Sequence, residues 1–181
     1  MTNFNVPTKN EVSNTNQNIL ENVEKAVGFV PNLYATMAYS ENALKNFLDF
    51  ANAPSSLQTK EKEVINLAVS EINKCQYCLS AHTAIAGMNG FTPEQIVELR
   101  GGTAQFDAKL DALAKLSKNI AENRGATEAN VIDNFFAAGW SKENLVDAIN
   151  QVGEITITNY LHRTTEVPVD FPAAEALPAH A

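Results

Sequence analysis

The chain has 181 residues, of which 45% are hydrophobic and 19% charged, and its formal net charge is −8. This is enough apolar material for one domain with a core, and too short a chain for two large domains. The acidic balance argues against a nucleic-acid partner and disfavours an anionic membrane surface.

No apolar run is long enough to span a bilayer. Residues 1–18 form a polar arm rich in Asn and Thr, without the basic-then-apolar pattern of a secretory leader, so a cytoplasmic protein is expected. From residue 19 nearly every segment reads as helix. Ile19 to Val27 has helical apolar spacing and stops at Gly28, and Pro31 opens a segment from Asn32 to Tyr39. Ser40 caps Glu41 to Ala53, which Pro54 ends. Thr59 to Ile72 follows, with Val64, Leu67 and Ala68 on one face. Cys75 to Asn89 closes at Gly90, and Thr92-Pro93-Glu94-Gln95 is a capping box with proline at the first helical position. That short helix ends at Gly101-Gly102. Asp107 to Arg124 and Thr127 to Ala138 come next, and Ser141 caps a long helix to about Thr164. Prolines keep Val167 to Pro172 extended. No segment alternates like a strand. The expectation is an all-α domain over residues 19–172 with no sheet, followed by a C-terminal tail at 173–181.

The two halves look alike. Gly90-Phe91-Thr92-Pro93-Glu94-Gln95-Ile96-Val97 parallels Gly139-Trp140-Ser141-Lys142-Glu143-Asn144-Leu145-Val146. At the same register Lys60, Val64 and Leu67 fall on Lys109, Leu113 and Leu116, which suggests a duplicated helical unit. Cys75, Cys78 and His82 fall on Arg124, Thr127 and Val131, so only the first copy is expected to carry chemistry.

Cys75 and Cys78 are the only cysteines. A lone CxxC without a secretory leader points to redox chemistry or metal binding rather than structural disulfides. On one helix Cys75, Cys78 and His82 form a stripe, with His82 one turn beyond Cys78 and able to take its proton. Asn73 would cap that helix, and the dipole would lower the pKa of both thiols, more so for Cys75 nearer the start. A second thiol lets a sulfenic acid condense to a disulfide. Glu63, on the preceding helix, could orient His82 and raise its basicity. By itself, an exposed Glu63 paired with Lys60 or Lys62 is the simpler reading. The same four residues could in principle bind zinc, but structural zinc sites usually draw a second ligand pair from elsewhere, and no other cysteine exists. Neither a metal nor an organic cofactor is expected, and no Gly-rich nucleotide loop is visible. His162 and His180 read as isolated histidines, with His162 taken as a surface or helix-end residue ahead of the alternative that it lines a pocket. Trp140 reads as a core wedge, Tyr34 and Tyr39 as core or interface ahead of the alternative that they wall a pocket, and Glu154 as an outer-face residue unless buried.

Glu63, Cys75-Gln76-Tyr77-Cys78 and His82 together resemble the AhpD-like alkylhydroperoxidases of the carboxymuconolactone decarboxylase superfamily. Gly28-Phe29-Val30-Pro31-Asn32, Ser80-Ala81-His82, Thr158-Asn159-Tyr160-Leu161 and Pro168-Val169-Asp170-Phe171-Pro172 look like its peroxidase-related branch. The resemblance covers about Val27 to Pro172. It implies an AhpD-like helical fold and a thiol-dependent peroxidase in which Cys78 attacks a hydroperoxide substrate and Cys75 resolves. An external dithiol, a dihydrolipoyl carrier in the alkylhydroperoxidase itself, would reset the pair. Tyr77 departs from the alkylhydroperoxidase proper, which has a histidine between its cysteines. The resemblance also implies a homo-oligomer (trimer, hexamer or dimer), for which Phe47, Phe50, Phe135, Phe136 and Trp140 offer apolar surface. The competing functions are a carboxymuconolactone decarboxylase-like or lactone-processing enzyme, for which a redox pair is unnecessary, and a non-catalytic redox-sensing helical module.

Overall fold

The computed structural model describes residues 4–177, and every regular element among them is helical. The all-α expectation is met. His180 and both chain ends lie outside the described residues.

A short 3-10 turn at Lys9–Glu11 leads into α1 (Asn14–Val27). This helix begins five residues before its apolar pattern does. Ser13 accepts the Asn16 N–H, and the fully buried Asn16 side chain donates to the carbonyls of Ala38 and Ser40. Polar residues therefore extend a helix that the apolar spacing alone would start later. Then come α2 (Asn32–Met37) and α3 (Ala43–Ala51). Leu20, Met37, Ala38, Leu44 and Phe47 join these three helices in a small satellite core.

The main core is built on α4 (Thr59–Ile72), where every residue from Glu63 to Ser70 is buried. A helix covered all round must be central, and α4 packs against α5 (Gln76–Met88), α6 (Pro93–Arg100), α7 (Ala108–Glu122) and α9 (Lys142–Thr165), with α8 (Ala129–Ala137) against α7. The single apolar face visible in the sequence understates this burial.

Local features of the repeat recur between α4–α5–α6 and α7–α8–α9. Gly90 and Gly139 both adopt positive φ, 87° and 91°, where a Cβ would be strained. Thr92 and Ser141 then make equivalent capping boxes with Gln95 and Asn144. Phe91 and Trp140 are both buried, and Lys60 and Lys109 lay their ammonium groups over those rings at 5.2 and 4.1 Å. Trp140 is indeed a core wedge. It stacks on Phe135 and donates its indole N–H to the Lys109 carbonyl at 3.0 Å.

After α9 the chain becomes an extended strap that crosses the start of α5. Asp170 accepts the Asn32 N–H at 2.6 Å, and Phe171 packs edge-on against Phe29 and Tyr77. The strap continues past Pro172. Gln76 donates to the Ala174 carbonyl, the Ala174 N–H reaches Ser80, and Arg100 holds the Glu175 carbonyl while paired with Glu71. Both residues between the cysteines, Gln76 and Tyr77, thus anchor the strap.

Candidate active site

A left-handed residue, Lys74 at φ 54°, ends the turn after α4 and lets the Cys75 N–H return to the Ser70 carbonyl at 3.0 Å. Cys75 is therefore not the first residue of the α5 helix but its N-cap. Its sulfur accepts the Cys78 N–H at 3.3 Å, the role that the sequence reading gave to Asn73. Asn73 instead closes α4 and donates to the Asn159 side chain at 2.8 Å.

The two sulfurs are 2.8 Å apart, beyond the length of a disulfide bond, and both cysteines are free and buried. They do not share the helix dipole equally. The Cys78 thiol hydrogen-bonds to Cys75 and, despite burial, holds it down at about 5, with help from His162 and the Cys78 N–H. The same negative sulfur, with burial, pushes Cys78 far up. The expectation that both thiols are lowered is corrected: one proton is shared, and it rests on Cys78. The Cys78 sulfur also contacts the Thr158 hydroxyl at 3.7 Å.

Glu63 is not at the surface. It is 5% exposed, and its carboxylate takes His82 Nδ1 at 2.9 Å and the Asn66 amide at 2.9 Å. Gln151 continues the chain from Asn66 to Glu154. A carboxylate only accepts, so Nδ1 carries the proton and Nε2 is the free ring nitrogen. Burial opposes a charge on His82, but Glu63, with Glu154 and Cys75, outweighs it and holds the imidazole above its ordinary value. Burial holds the Glu154 carboxyl above the usual range, opposed by His82 and Gln151. Among the described residues no hydrogen bond joins His82 to either sulfur. The stripe read from the sequence thus resolves into a sulfur pair and a separate Glu63–His82 pair.

A cavity of about 560 Å³ lies over the site. Its walls are mainly apolar, including Phe29, Leu33, Phe47, Ile85 and Phe171, and Cys78, His82, Glu154 and Thr158 open into it. Tyr34 is also there, its phenol pushed up to about 12 by burial and by Glu154 and Cys78. Cys75 lies behind Cys78 and does not line the cavity.

Two further residues come from the second repeat. Glu154 is half-buried rather than on an outer face, and His162 packs beside Tyr77, with ring centroids 5.4 Å apart, and acts on Cys75. With Thr158 they form an i, i+4, i+8 stripe on α9 that faces the motif helix. That spacing was the available signal for His162. Chemistry-bearing side chains are therefore supplied by both copies, not by the first alone. Among the described residues no three His, Cys, Asp or Glu side chains are grouped to hold a metal ion.

A buried dithiol at a helix start thus lies beside a carboxylate–histidine pair and under an apolar cavity, in an all-helical fold like that of AhpD. Residues 38–118 match the carboxymuconolactone decarboxylase family. That match covers less than half of the chain, and beyond it the likeness is carried by the fold. A peroxidase-related protein with an alkylhydroperoxidase AhpD core from Ralstonia eutropha is 20% identical with a TM-score of 0.79, over 89% of this chain and 88% of that one. A peroxidase-related protein from a Silicibacter species is 22% identical with a TM-score of 0.78, over 94% and 90%. A cysteine-to-alanine variant of the debrominase Bmp8, in complex with 2,3,4-tribromopyrrole, is 15% identical with a TM-score of 0.79, over 94% and 92%. At these identities the likeness is one of fold. No curated protein matches the sequence significantly.

Proposed function

We propose that this protein is a thiol-dependent peroxidase that reduces hydroperoxides through a Cys75/Cys78 dithiol–disulfide cycle. The observation that carries this reading is the sulfur pair, 2.8 Å apart and opening through Cys78 alone into an apolar cavity. Cys78 is the attacking thiol and Cys75 the resolving one. Cys78 hands its proton to the Cys75 thiolate as its sulfur takes the distal peroxide oxygen, and His82, held protonated by Glu63, donates to the departing alkoxide. The products are a Cys78 sulfenic acid and an alcohol. Attack by Cys75 then gives the disulfide and water, and an external dithiol supplies the two electrons that restore both thiols. His82 acts here as an acid, not as the base for the thiol that the sequence suggested. This cycle suits a reducing compartment such as the cytoplasm. Among the described residues no helix is long and apolar enough to cross a membrane.

The test is to add cumene hydroperoxide to the reduced protein and count thiols, then repeat with dihydrolipoamide. Loss of both thiols followed by dithiol-driven turnover supports the peroxidase. Oxidation without turnover indicates a redox sensor, and no thiol response indicates a decarboxylase-like or lactone-processing enzyme. The aromatic cavity wall favours a second reading as well. The same two electrons could displace halide from a halogenated aromatic, the class named for the debrominase neighbour, and halide release would report it.

We also propose a homo-oligomer, on a surface different from the one first expected. Of the residues first expected there, Phe47, Phe135 and Trp140 are core residues and not available for an interface, Phe136 is partly buried and Phe50 stays exposed. Val146, Ile149, Ile157 and Tyr160 instead form an exposed apolar stripe along α9. Light scattering at micromolar concentration should give a multiple of the 19.7 kDa chain mass, and Ile157→Glu should shift it toward one chain. A single-chain mass for the unaltered protein would refute the proposal.

A further inference from the structure

We propose that Glu154 sets the charge specificity of the cavity: it admits hydroperoxides whose body is uncharged or cationic and rejects those that bring an anionic group inside. This rests on the peroxidase reading above and names the substrate class of that same site.

The placement comes from the helix. Glu154 stands on α9 one turn before Thr158, whose hydroxyl contacts the Cys78 sulfur at 3.7 Å. Residues four apart on a helix are neighbours, with about 5–6 Å between their Cβ atoms. Both side chains line the cavity, so a peroxide that meets Cys78 has its body close to the Glu154 carboxylate. That carboxylate is half-buried, and its hydrogen-bond donor is a neutral amide, Gln151. The same amide nitrogen donates to Asn66 at 2.9 Å, and Asn66 donates to Glu63 at 2.9 Å. The two amides hold Glu154 in position and bring no positive charge to it.

Nothing on the cavity wall neutralises Glu154. No lysine or arginine lines the cavity. The one group there that can become a cation is His82, and it carries its own counter-charge in Glu63 at 2.9 Å. Lys62 meets Glu154 in a separate small recess, which Asp147 also lines, and forms no ion pair with it among the described residues. The remaining wall is mainly apolar, including Phe29, Leu33, Phe47 and Ile85. An unpaired, partly desolvated carboxylate lowers stability, so such a wall has no structural need of one. Burial raises the Glu154 carboxyl, while His82, Gln151 and Lys62 favour its anion. The same negative field reaches Tyr34, whose phenol is pushed up to about 12, by burial first and then by Glu154. At an effective dielectric of about 20, a second anion roughly 8 Å away would lose about thirtyfold in affinity, and a cation would gain a similar factor.

The test compares the binding of matched probes to the full-length reduced protein: cumyl alcohol, its para-carboxylate and its para-aminomethyl derivative. They share one shape and differ in charge. Binding is read by NMR titration near neutral pH in about 0.5 M salt, where exposed charges are screened within a few ångströms and a partly buried one still acts. An apolar cavity alone would disfavour both ions, so the cation-to-anion ratio reports the sign of the field. The cation should bind on the order of a hundredfold more tightly than the anion, and Glu154→Gln should shrink that ratio by about tenfold or more. Loss of packing would weaken all the probes together and leave the ratio in place. The Cys75 sulfur and His82 are present in both proteins and cancel in the comparison. Glu154→Asp keeps the charge and should keep most of the ratio. A ratio near one in the unaltered protein, an unchanged ratio in Glu154→Gln, or no saturable binding of any probe would overturn the proposal. Cumene hydroperoxide and its para-carboxylate, supplied with dihydrolipoamide, separate this inference from the peroxidase reading. If the binding ratio responds to Glu154→Gln but neither hydroperoxide is consumed, the charge filter stands and the peroxidase reading fails. If both are consumed equally well and the ratio does not move, the reverse holds.

Discussion

Cys78→Ser should reduce peroxide turnover to background, a loss on the order of a thousandfold or more, because nothing else in the cavity is a nucleophile of comparable power. Cys75→Ser should behave differently. It keeps the sulfur that faces the cavity but loses the thiolate that takes the Cys78 proton, so one oxidation should occur, more slowly, and then stall at the sulfenic acid, which dimedone would trap on Cys78. The paired outcome is informative because the two thiols differ in opposite senses: Cys75 holds the charge at about 5, while Cys78 holds the access. Since the Cys75 pKa is depressed, the thiolate is present from above about pH 5 through neutrality and is lost as pH falls through that value. The rate of oxidation should therefore rise on the acid side and be flat near pH 7. If Cys75→Ser abolishes the first oxidation while Cys78→Ser retains it, with the sulfenic acid trapped on Cys75, the roles of the two thiols are reversed.

Glu63→Gln should lower turnover near neutral pH by about a hundredfold, the usual scale for loss of a general acid. Glutamine can keep the Asn66 contact but removes the charge that holds His82 above its ordinary value against burial. The sign follows from that direction. A raised folded pKa keeps His82 protonated at pH values where a free imidazole would be neutral. The associated stability is fully present below the unfolded value and is lost as pH rises through the folded one. The variant should thus be less stable by about 1.5–3 kcal/mol at mildly acidic pH, with the difference shrinking as pH rises. The alkaline limb of its pH–rate profile should move toward lower pH. Unfolding titrations and pH–rate profiles check both statements. An unmoved alkaline limb would remove Glu63 from the proton path.

The caps carried most of the readable information about the fold. Thr59–Ile72, the Thr92 and Ser141 boxes and the glycine stops needed only local chemistry, and the structure has them where the sequence puts them. The start of α1 was less legible because Asn16 earns its place through carbonyls more than twenty residues away. Burial of Glu63 was hidden for the same kind of reason. Lys60 and Lys62 flank it, and only the packing of four other helices around α4 turns its face inward. The cysteines were legible as a pair, but their unequal acidity was not. It depends on Cys75 stepping out of the helix to become its cap, and on a histidine far along the chain. The repeat was visible at constant offset, while its consequence for the site required seeing which way α9 faces.

That arrangement separates two kinds of inheritance within one molecule. The motif helix holds the electron-carrying pair, and a different helix contributes Glu154, Thr158 and His162 along a single face. Substitutions on α9 could change what the cavity accepts, or how fast the cycle closes, without touching the CxxC segment. A chain built this way can diverge in substrate while its signature motif remains unaltered, so two proteins with identical motifs need not share a reaction.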